Sequence, residues 1–295
     1  MQEQQISNFF KQVDSLPSLP VTATKVLSVT ADPESSAKDL VNAILPDQAM
    51  CATILKIANS AFFGIPRKVA TMERAVTILG FNEIHNIVLG KAVFSSFQKM
   101  SKNYQQPMDH FWKHSFSCGL AAKIIAQQLK QPPGELFIAG LIHDIGQLVF
   151  FISKPDDYFP VMELKGTDHI KSRFLEMDTF GVDHAQVGFH LLERWLFPDQ
   201  LLTAVGFHHQ PQECTDHALY AIIVQISDAL SLLANVDDQD QETPLLPQLT
   251  EMLPEGEQLW QEYDLAIDET QLQDWMEDLK ISKDKDSGIL DILTS

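Results

Sequence analysis

An adjacent histidine and aspartate, His143 and Asp144, stand inside the apolar stretch GLIHDIGQLVF. An imidazole and a carboxylate are costly to bury unless each finds a hydrogen-bond partner, an opposite charge or a metal ion. Imidazole and carboxylate ligands together suit divalent transition metals such as Fe, Mn, Zn or Ni. Further residues of the same two kinds occur in other helical patterns of the chain: His114, His184, His208, His209 and Asp228. The seven residues predict a site for one or two metal ions, in which Asp144 could bridge two of them.

Two of the histidines lie on apolar helical faces. His114 shares a face with apolar residues that follow at three- and four-residue spacing. His184 begins a similar stripe, and Asp183 with Gln186 predicts a capping box at the start of its helix. Both imidazoles are therefore expected to point into the interior.

Asp228 is the only carboxylate in YAIIVQISDALSLLAN, a helical segment that is apolar on almost every side. It is expected to be buried, where a carboxylate must be neutralised, hydrogen-bonded or bound to a cation. On a helix, the neighbours His208 and His209 would diverge by about 100°, and would serve two metals or a metal and a substrate. A single buried histidine or aspartate is common in a protein core. Seven of them facing one interior would be costly to bury, so together they favour a bound cation. A hydrogen-bonded polar core without metal is the alternative.

The elements that must position these residues are helices, because the clear periodicities are helical and convincing alternating strands are missing. We predict an all-α fold in three parts: a lobe of short helices over 1–105, a lobe carrying the site over 106–235, and an acidic helical extension over 236–295. Asp47, Thr71 and Asn82 are predicted helix caps. A single helix is predicted across ELFIAGLIHDIGQLVFF, through the His-Asp pair.

The 295-residue chain has a formal net charge of −19, and from residue 236 onward it has 17 acidic and three basic side chains. We predict one or two amphipathic helices there, packed on the body and frayed around 283–287. The negative field and the absence of a basic stripe disfavour nucleic acid as a ligand. Neither a leader-like start nor an apolar run approaching about 18 residues is present, so no membrane is expected. Three separated cysteines suit a reducing compartment and predict a cytoplasmic protein.

Several separate motifs resemble the HDOD domain, the HD-related output domain of bacterial signalling proteins. They are LPSLPVTATKVLSV, ILKIANSAFFG, AVTILGF, GLIHDIGQLVF, DTFGVDHAQVGFHLLERWLFP and HHQP, within roughly residues 10–235. The order His114, His143-Asp144, Asp228 also resembles the ligand order of the wider HD superfamily of metal-dependent phosphohydrolases. His184 and the His208-His209 pair resemble the additional ligands of its two-metal members. The resemblance implies an all-helical regulatory module with an N-terminal lobe and an HD-like lobe.

Two departures from active relatives weigh against catalysis. Active HD enzymes commonly carry a lysine three positions after the doublet, where this chain has Gln147. A neutral amide adds no positive charge near a phosphoryl group. The GYP motif of cyclic-dinucleotide phosphodiesterases is also missing, because HHQPQE stands in its place. We therefore expect a signal-transduction module, with signalling proteins as partners and a small phosphorylated molecule as a candidate ligand.

The alternative is a working metal-dependent phosphohydrolase that acts on a phosphoester or nucleotide, with Asp144 as its catalytic candidate. Glu176 and Asp178 of the EMDTFG segment are then candidates to orient the metal ligands from a second layer. Arg173 is a candidate phosphate contact, provided that it faces the site. This alternative predicts a cleft open to solvent above the ions.

Overall fold

The computed structural model of the chain describes residues 2–13, 16–101, 105–165, 169–235 and 244–294. These residues form α-helices and one short 3-10 helix (Pro211–Glu213), and no strand occurs among them, which confirms the predicted all-α class. The segment predicted as the first lobe contains α1 (Gln2–Gln12), α2 (Val21–Thr30), α3 (Ala37–Ile44), α4 (Gln48–Ala58), α5 (Met72–Leu79) and α6 (Phe81–Ser101). The segment predicted as the second lobe contains α7 (Gln105–Gln128), α8 (Pro133–Ile142), α9 (Ile145–Ser153), α10 (Pro155–Lys165), α11 (His169–Phe180), α12 (His184–Arg194), α13 (Asp199–Phe207) and α14 (Ala218–Leu233). The acidic extension contains α15 (Leu245–Met252), α16 (Gly256–Glu262) and α17 (Glu269–Thr294).

The short helices of the first lobe begin largely where the sequence supplies a cap. The side chains of Asp47 and Thr71 accept backbone amides at the starts of α4 and α5, as predicted. Gly80 ends α5 with a φ of +90°, a conformation that a residue with a Cβ rarely adopts. The chain enters α6 directly at Phe81, so the predicted cap at Asn82 is wrong and Asn82 lies in the first turn.

Helices α7 and α8 pack closely because two glycines meet at their crossing. A Cβ atom on Gly140 would lie 2.8 Å from the carbonyl oxygen of Cys118 and 2.9 Å from the Cα of Gly119. Any larger side chain would force the helices apart. Helix α14 packs against both α7 and α8. This arrangement brings His114 of α7 close to the end of α8.

The His-Asp pair lies in a break between two helices, because α8 ends at Ile142 and α9 begins at Ile145. The prediction of one continuous helix is therefore wrong at this point. The carbonyl oxygen of Asp144 accepts the amide of Gln147 at 2.9 Å, which starts α9. In the first turn of α9, a Cβ atom on Gly146 would lie 2.0 Å from the carbonyl oxygen of His184. The start of α9 thus directly contacts the start of α12.

The acidic extension forms three helices rather than one or two. Its last helix, α17, continues through 283–287, where fraying was predicted, and Asp286, Ile289 and Leu293 are buried there. Helix α17 packs on α7 of the second lobe and on α6 and α4 of the first. The predicted boundary after residue 235 adjoins 236–243, which lie outside the described residues.

One stretch, Pro133–Ser153, is long and apolar enough to cross a membrane by length and composition alone. It comprises α8 and α9, and 89% of its most apolar window is buried inside the protein. The sequence predicted no apolar run approaching about 18 residues, but this stretch meets the criterion although it contains Glu135, His143 and Asp144. The average hydropathy stays high despite these three residues, so the stretch forms the apolar centre of the second lobe.

Candidate metal centre

The seven predicted ligands converge where α7, the break between α8 and α9, α12, α13 and α14 meet. Each comes from a helix end or from an inward helix face. They are His114 on α7, His143 and Asp144 in the break, His184 at the start of α12, His208 and His209 after α13, and Asp228 on α14.

Backbone carbonyl groups orient two of the imidazoles. Nδ1 of His143 donates a hydrogen bond to the carbonyl oxygen of Gly140 at 2.8 Å. Nδ1 of His208 donates to the carbonyl oxygen of Val205, also at 2.8 Å. A carbonyl can only accept, so each of these rings carries a proton on Nδ1 and directs Nε2 towards the centre. Each Nε2 atom is thereby prepared to bind a cation.

Side chains orient two further imidazoles in the same sense. Nδ1 of His184 donates to Oε2 of Glu176 at 2.6 Å. The hydroxyl of Ser231 donates to the carbonyl oxygen of Asp228 at 2.8 Å, so its oxygen accepts from Nδ1 of His114 at 3.2 Å. All four rings are therefore held through Nδ1 with Nε2 facing the centre, the arrangement usual for metal-binding histidines.

The two carboxylate oxygens of Asp144 face different histidines. Oδ2 lies 3.3 Å from Nε2 of His143 and 3.7 Å from Nε2 of His114. Oδ1 lies 3.1 Å from Nε2 of His184 and 3.9 Å from Nε2 of His208. Asp144 thus stands between two groups of ligand atoms and presents one oxygen to each.

The ligand atoms within each group lie within 4.8 Å of one another. The first group is His114, His143 and Asp228, and the second is His184, His208 and His209. In the second group, Nε2 of His209 lies 2.9 Å from Nε2 of His184. His208 and His209 follow α13, which ends at Phe207, and both offer ligand atoms to the same group, whereas the sequence predicted, for a pair on a helix, that they would serve two metals or a metal and a substrate.

The donor atoms fit a divalent metal ion. Nε2 of His114, Nε2 of His143, Nε2 of His208 and Oδ1 of Asp228 are buried and make no well-oriented hydrogen bond among the described residues, although Nε2 of His114 lies 3.1 Å from Oδ1 of Asp228. A buried polar atom left without a partner costs about 1–3 kcal/mol. One cluster would carry this cost several times unless a cation satisfies the lone pairs. Imidazole nitrogens with carboxylate oxygens suit a divalent transition metal.

The charged groups at the centre move the pKa values of its histidines in opposite directions. Burial lowers the pKa of His184, but the carboxylates of Glu176 and Asp144 outweigh burial and raise it to about 9. Burial, reinforced by repulsion from His143 and His184, lowers the pKa of His208 to about 3. Burial also lowers the pKa of His143, but the carboxylate of Asp144 outweighs burial and raises it well above its usual value. Without a metal, His143 and His184 are therefore charged, and His208 is neutral.

Glu176 and Asp178 have different positions. The carboxylate of Glu176 is buried and accepts hydrogen bonds from the amide of His184 at 2.9 Å and from the Tyr158 hydroxyl at 2.9 Å. Asp178 is exposed. Tyr158 and Ser231 also support the ligands, and neither was predicted from the sequence. The one available signal was for Ser231, which follows Asp228 by three residues and so shares its helix face.

A cleft of about 650 Å³ opens above the centre, and His208, His209 and Asp228 line it. Arg173 also lines it, and its Nε donates to Oδ2 of Asp183 at 2.7 Å. Gln147, at the position where active relatives carry lysine, is 3% exposed. The candidate metal centre is thus reached from solvent on one side.

An all-helical domain with a His-Asp doublet in a helix break, completed by histidines and an aspartate from neighbouring helices, defines the HD class of fold. Within that class, the HDOD domain model matches residues 16–211, and the chain belongs to the HDOD family.

Two solved structures share this fold over nearly the whole chain. A protein of Shewanella amazonensis SB2B, proposed to be a phosphohydrolase, is 21% identical with a TM-score of 0.73 and 97% of each chain covered. A protein of Marinobacter aquaeolei VT8, proposed to act in signal transduction, is 22% identical with a TM-score of 0.74, with 100% of this chain and 66% of that one covered. An uncharacterized protein of Treponema pallidum (strain Nichols) is 26% identical over 199 residues, which are 67% of this chain but 38% of that relative. At these identities the two structures show the fold alone.

Proposed function

We propose that this chain is a cytoplasmic regulatory HDOD module whose HD-like lobe binds two divalent metal ions bridged by Asp144. One observation carries the proposal: Oδ2 of Asp144 faces the first group of ligand atoms, and Oδ1 faces the second. The ligand atoms of these groups have few other hydrogen-bond partners among the described residues. His114, His143 and Asp228 would hold the first ion, and the three later histidines would hold the second.

The role that we propose for the centre is structural and ligand-sensing. Its ligands come from five places in the fold, so filled sites would join α7, α12, α13 and α14 to the helix break. When bound, the ions would supply positive charge and Lewis acidity at the floor of the cleft. The chain's own contribution is to hold Nδ1 of four imidazoles through hydrogen bonds to Gly140, Val205, Glu176 and Ser231, so that each Nε2 faces the centre.

Signalling proteins as partners and the cytoplasm as the location are parts of the same proposal. HDOD membership supports the first part. The second is supported by three free cysteines, which suit a reducing compartment, and by the burial of the stretch Pro133–Ser153.

A metal-dependent phosphohydrolase is the second candidate, and the cleft above the centre favours it because a substrate could reach the ions. Gln147 weighs against it, since its neutral amide replaces the lysine of active relatives. In this candidate, Asp144 would position both ions, and Arg173 would stand at the cleft wall near the phosphate.

Elemental analysis tests the metal centre. The chain is purified without added metal, incubated with Mn, Fe or Zn, desalted and analysed. We expect two ions per unaltered chain, loss of both in Asp144→Asn and loss of one in Asp228→Asn. Asp178→Asn is the control, because Asp178 is exposed and should leave both ions bound. Near-zero metal in the loaded, unaltered chain would overturn the proposal in favour of a hydrogen-bonded polar core.

A turnover measurement separates the two roles. The metal-loaded chain is incubated with p-nitrophenyl phosphate and with a nucleoside monophosphate. The regulatory role predicts no turnover above that of Asp144→Asn. Robust turnover that Asp144→Asn abolishes would establish the phosphohydrolase instead.

A further inference from the structure

The C-terminal part of α17 covers a groove between helices of the two predicted lobes. Helix α17 packs on α4 and α6 of the first lobe and on α7 of the second. Within residues 280–294, which we call the terminal segment, Ile289 and Leu293 are the buried apolar side chains. Both line a small cavity together with side chains of α4, α6 and α8 and with Phe62 and Phe63. The terminal segment thus occupies an apolar groove.

The groove has an aromatic floor and a lysine towards each end. The ring of Phe62 lies 5.3 Å from the ring of Phe137 on α8, and Nζ of Lys123 lies 3.2 Å from the centre of the Phe62 ring. Asp286 of the terminal segment attracts this ammonium group. Nζ of Lys91 on α6 donates to the carbonyl oxygen of Leu293 at 3.1 Å, where a lysine complements the end of a helix. The groove therefore matches a helix that carries an acidic residue and ends beside Lys91.

The terminal segment is held less firmly than the rest of α17. The first part of this helix buries four large apolar side chains, which are Leu272, Trp275, Met276 and Leu279. The terminal segment buries two, and a cavity of about 30 Å³ remains between them and the floor of the groove. Gly288 lies in its interior, where glycine supports a helix less well than alanine. Because regions with few buried apolar contacts open most easily, this segment should open more readily than the first part of α17.

Buried charge weakens the hold of the groove on the terminal segment further. Asp286 is 7% exposed, and its Oδ1 makes no hydrogen bond among the described residues. Burial raises the pKa of Asp286, and Lys123 opposes this effect only in part. Burial also lowers the pKa of Lys123 to about 8, although Asp286 and Glu83 attract its ammonium group. Both charged forms are less stable here than in water, so their burial offsets part of the apolar stabilisation.

We infer that the terminal segment is a displaceable cover, and that the groove beneath it is the docking site for an amphipathic helix of a partner protein. The helix that fits has an acidic residue near Lys123, apolar residues three and seven positions later on the floor, and its C-terminal end at Lys91. Asp286, Ile289 and Leu293 show this spacing, which places all three on one helix face. None of the seven candidate metal ligands lines the groove, so the inference goes beyond the proposed function and does not depend on the metal centre.

A partner helix can compete for the groove better than a second copy of the chain. A second copy would offer the same segment, which each chain already supplies to itself at a high effective concentration. A partner helix with alanine at the position of Gly288 would form more easily. A larger apolar side chain on that helix would also fill the cavity that Ile289 and Leu293 leave.

Peptide binding to the full-length chain tests the inference, with a fluorescein-labelled peptide of residues 280–295 as the probe. Ile289→Ser together with Leu293→Ser in the chain should open the groove. This opened variant should bind the peptide at least about tenfold more tightly than the unaltered chain, whose groove is already covered. Ile281→Ser is the matched control, because Ile281 is 56% exposed on the same segment and its loss should leave the peptide affinity unchanged. Circular dichroism checks that the variants keep their helix content.

Changes in the peptide test which contacts hold it. The peptide with Ile289→Ser and Leu293→Ser should not bind the opened variant. Asp286→Ala in the peptide should lower the affinity several-fold, and this loss should disappear when the opened variant also carries Lys123→Met. Gly288→Ala in the peptide should raise the affinity by up to about fivefold, because it favours the helix.

Hydrogen exchange tests the cover in the unaltered chain, without any substitution. An isotopic label distinguishes the chain from the peptide, which is unlabelled in this measurement. Excess peptide should accelerate the exchange of the chain's own amides over 286–294 and leave those over 272–279 unchanged, because the peptide takes the place of the terminal segment. Simple fraying of the helix end would not respond to the peptide.

The inference is overturned if the opened variant keeps its fold but binds the peptide no more tightly than the unaltered chain. Unchanged exchange over 286–294 in excess peptide would also overturn it, and this measurement decides the matter if the opened variant does not fold. A dimer of the unaltered chain that Ile289→Ser with Leu293→Ser abolishes, measured by sedimentation, would assign the groove to a second copy instead of a partner. The opened variant should bind as much metal as the unaltered chain, so elemental analysis tests the proposed function separately.

Discussion

Nδ1 of His184 and Oε2 of Glu176 lie 2.6 Å apart, and the same carboxylate oxygen accepts the amide of His184 at 2.9 Å. Two hydrogen bonds to one oxygen fix both the backbone and the ring of His184. Nε2 is consequently held 3.1 Å from Oδ1 of Asp144. Glu176 is 1% exposed, so its charge acts with little screening by water. It is a positioning residue for the second ligand group.

Replacing this carboxylate should weaken one metal site selectively. In Glu176→Gln the amide oxygen can still accept a hydrogen bond, but the negative charge that supports His184 is lost. Substitution of such supporting groups typically lowers metal affinity by about 10–100-fold. We expect this loss for one of two ions, measured by titration against a chelating dye.

Asp178→Asn provides the matched control for Glu176→Gln. It removes one carboxylate two residues away on the same helix, but from an exposed position, and should leave both affinities unchanged. Equal metal affinities in Glu176→Gln and the unaltered chain would show that the short hydrogen bond does not support the site.

The sequence was sufficient to select the seven converging residues, because helical spacing indicated inward faces for His114, His184 and Asp228, and the two doublets resemble those of the HD superfamily. It could not decide whether Glu176 or Asp178 supports the ligands, because the side of α11 that faces inward depends on how this helix packs against its neighbours. The helix break at His143 and Asp144 was missed for a related reason. The local sequence remains apolar across it, and a contact between Gly146 and His184, 38 positions apart in the sequence, accompanies the change in chain direction.

Residues 252–256 of the extension line the cleft, a contribution that was also beyond sequence reasoning. An acidic segment with spaced apolar residues predicts amphipathic helices, and these formed. Which surface they would cover depends on tertiary contacts such as the Glu269 cap of α15 and the packing of α15 on α14. Local periodicity does not encode such contacts.

Gly146→Ala should destabilise the fold, because its Cβ would lie 2.0 Å from the His184 carbonyl oxygen, a backbone atom that cannot turn aside. Forcing extra volume into a packed contact typically costs about 1–3 kcal/mol. We expect a loss of at least about 2 kcal/mol in the free energy of unfolding, measured by denaturant titration, together with weaker metal binding as His184 moves.

Gly288→Ala is the control for this substitution. Gly288 is exposed in α17, and a Cβ there meets no atom within 4 Å of the described neighbours. Because alanine favours helix over glycine, this variant should gain up to about 1 kcal/mol. The close contact would be contradicted if the free energies of unfolding of Gly146→Ala and the unaltered chain agreed within about 0.5 kcal/mol.

Removal of metal should lower the melting temperature. An ion that binds only the folded chain stabilises it by about 2.7 kcal/mol at a free concentration of a hundred times its Kd. We therefore expect a chelator to lower the melting temperature of the loaded chain, as measured by calorimetry, and Asp144→Asn to show no such shift. A loaded, unaltered chain that melts at the same temperature with and without chelator would exclude a stabilising metal centre.

Protonation of His85 should reduce stability in mild acid. His85 on α6 is 9% exposed, its Nε2 lacks a hydrogen-bond partner among the described residues, and burial lowers its pKa from 6.5 to about 4. Between these values the unfolded chain binds a proton that the folded chain does not, so stability is full above about pH 6.5 and falls as the pH drops towards 4. The contribution amounts to about 2 kcal/mol between pH 7 and pH 5. Denaturant titrations at both pH values give the change in the free energy of unfolding between them, and this change should be about 2 kcal/mol smaller in His85→Gln than in the unaltered chain. His110 is exposed, so His110→Gln is the control and should show the same change as the unaltered chain. An identical pH dependence in His85→Gln would mean that His85 gains a proton partner in the folded chain.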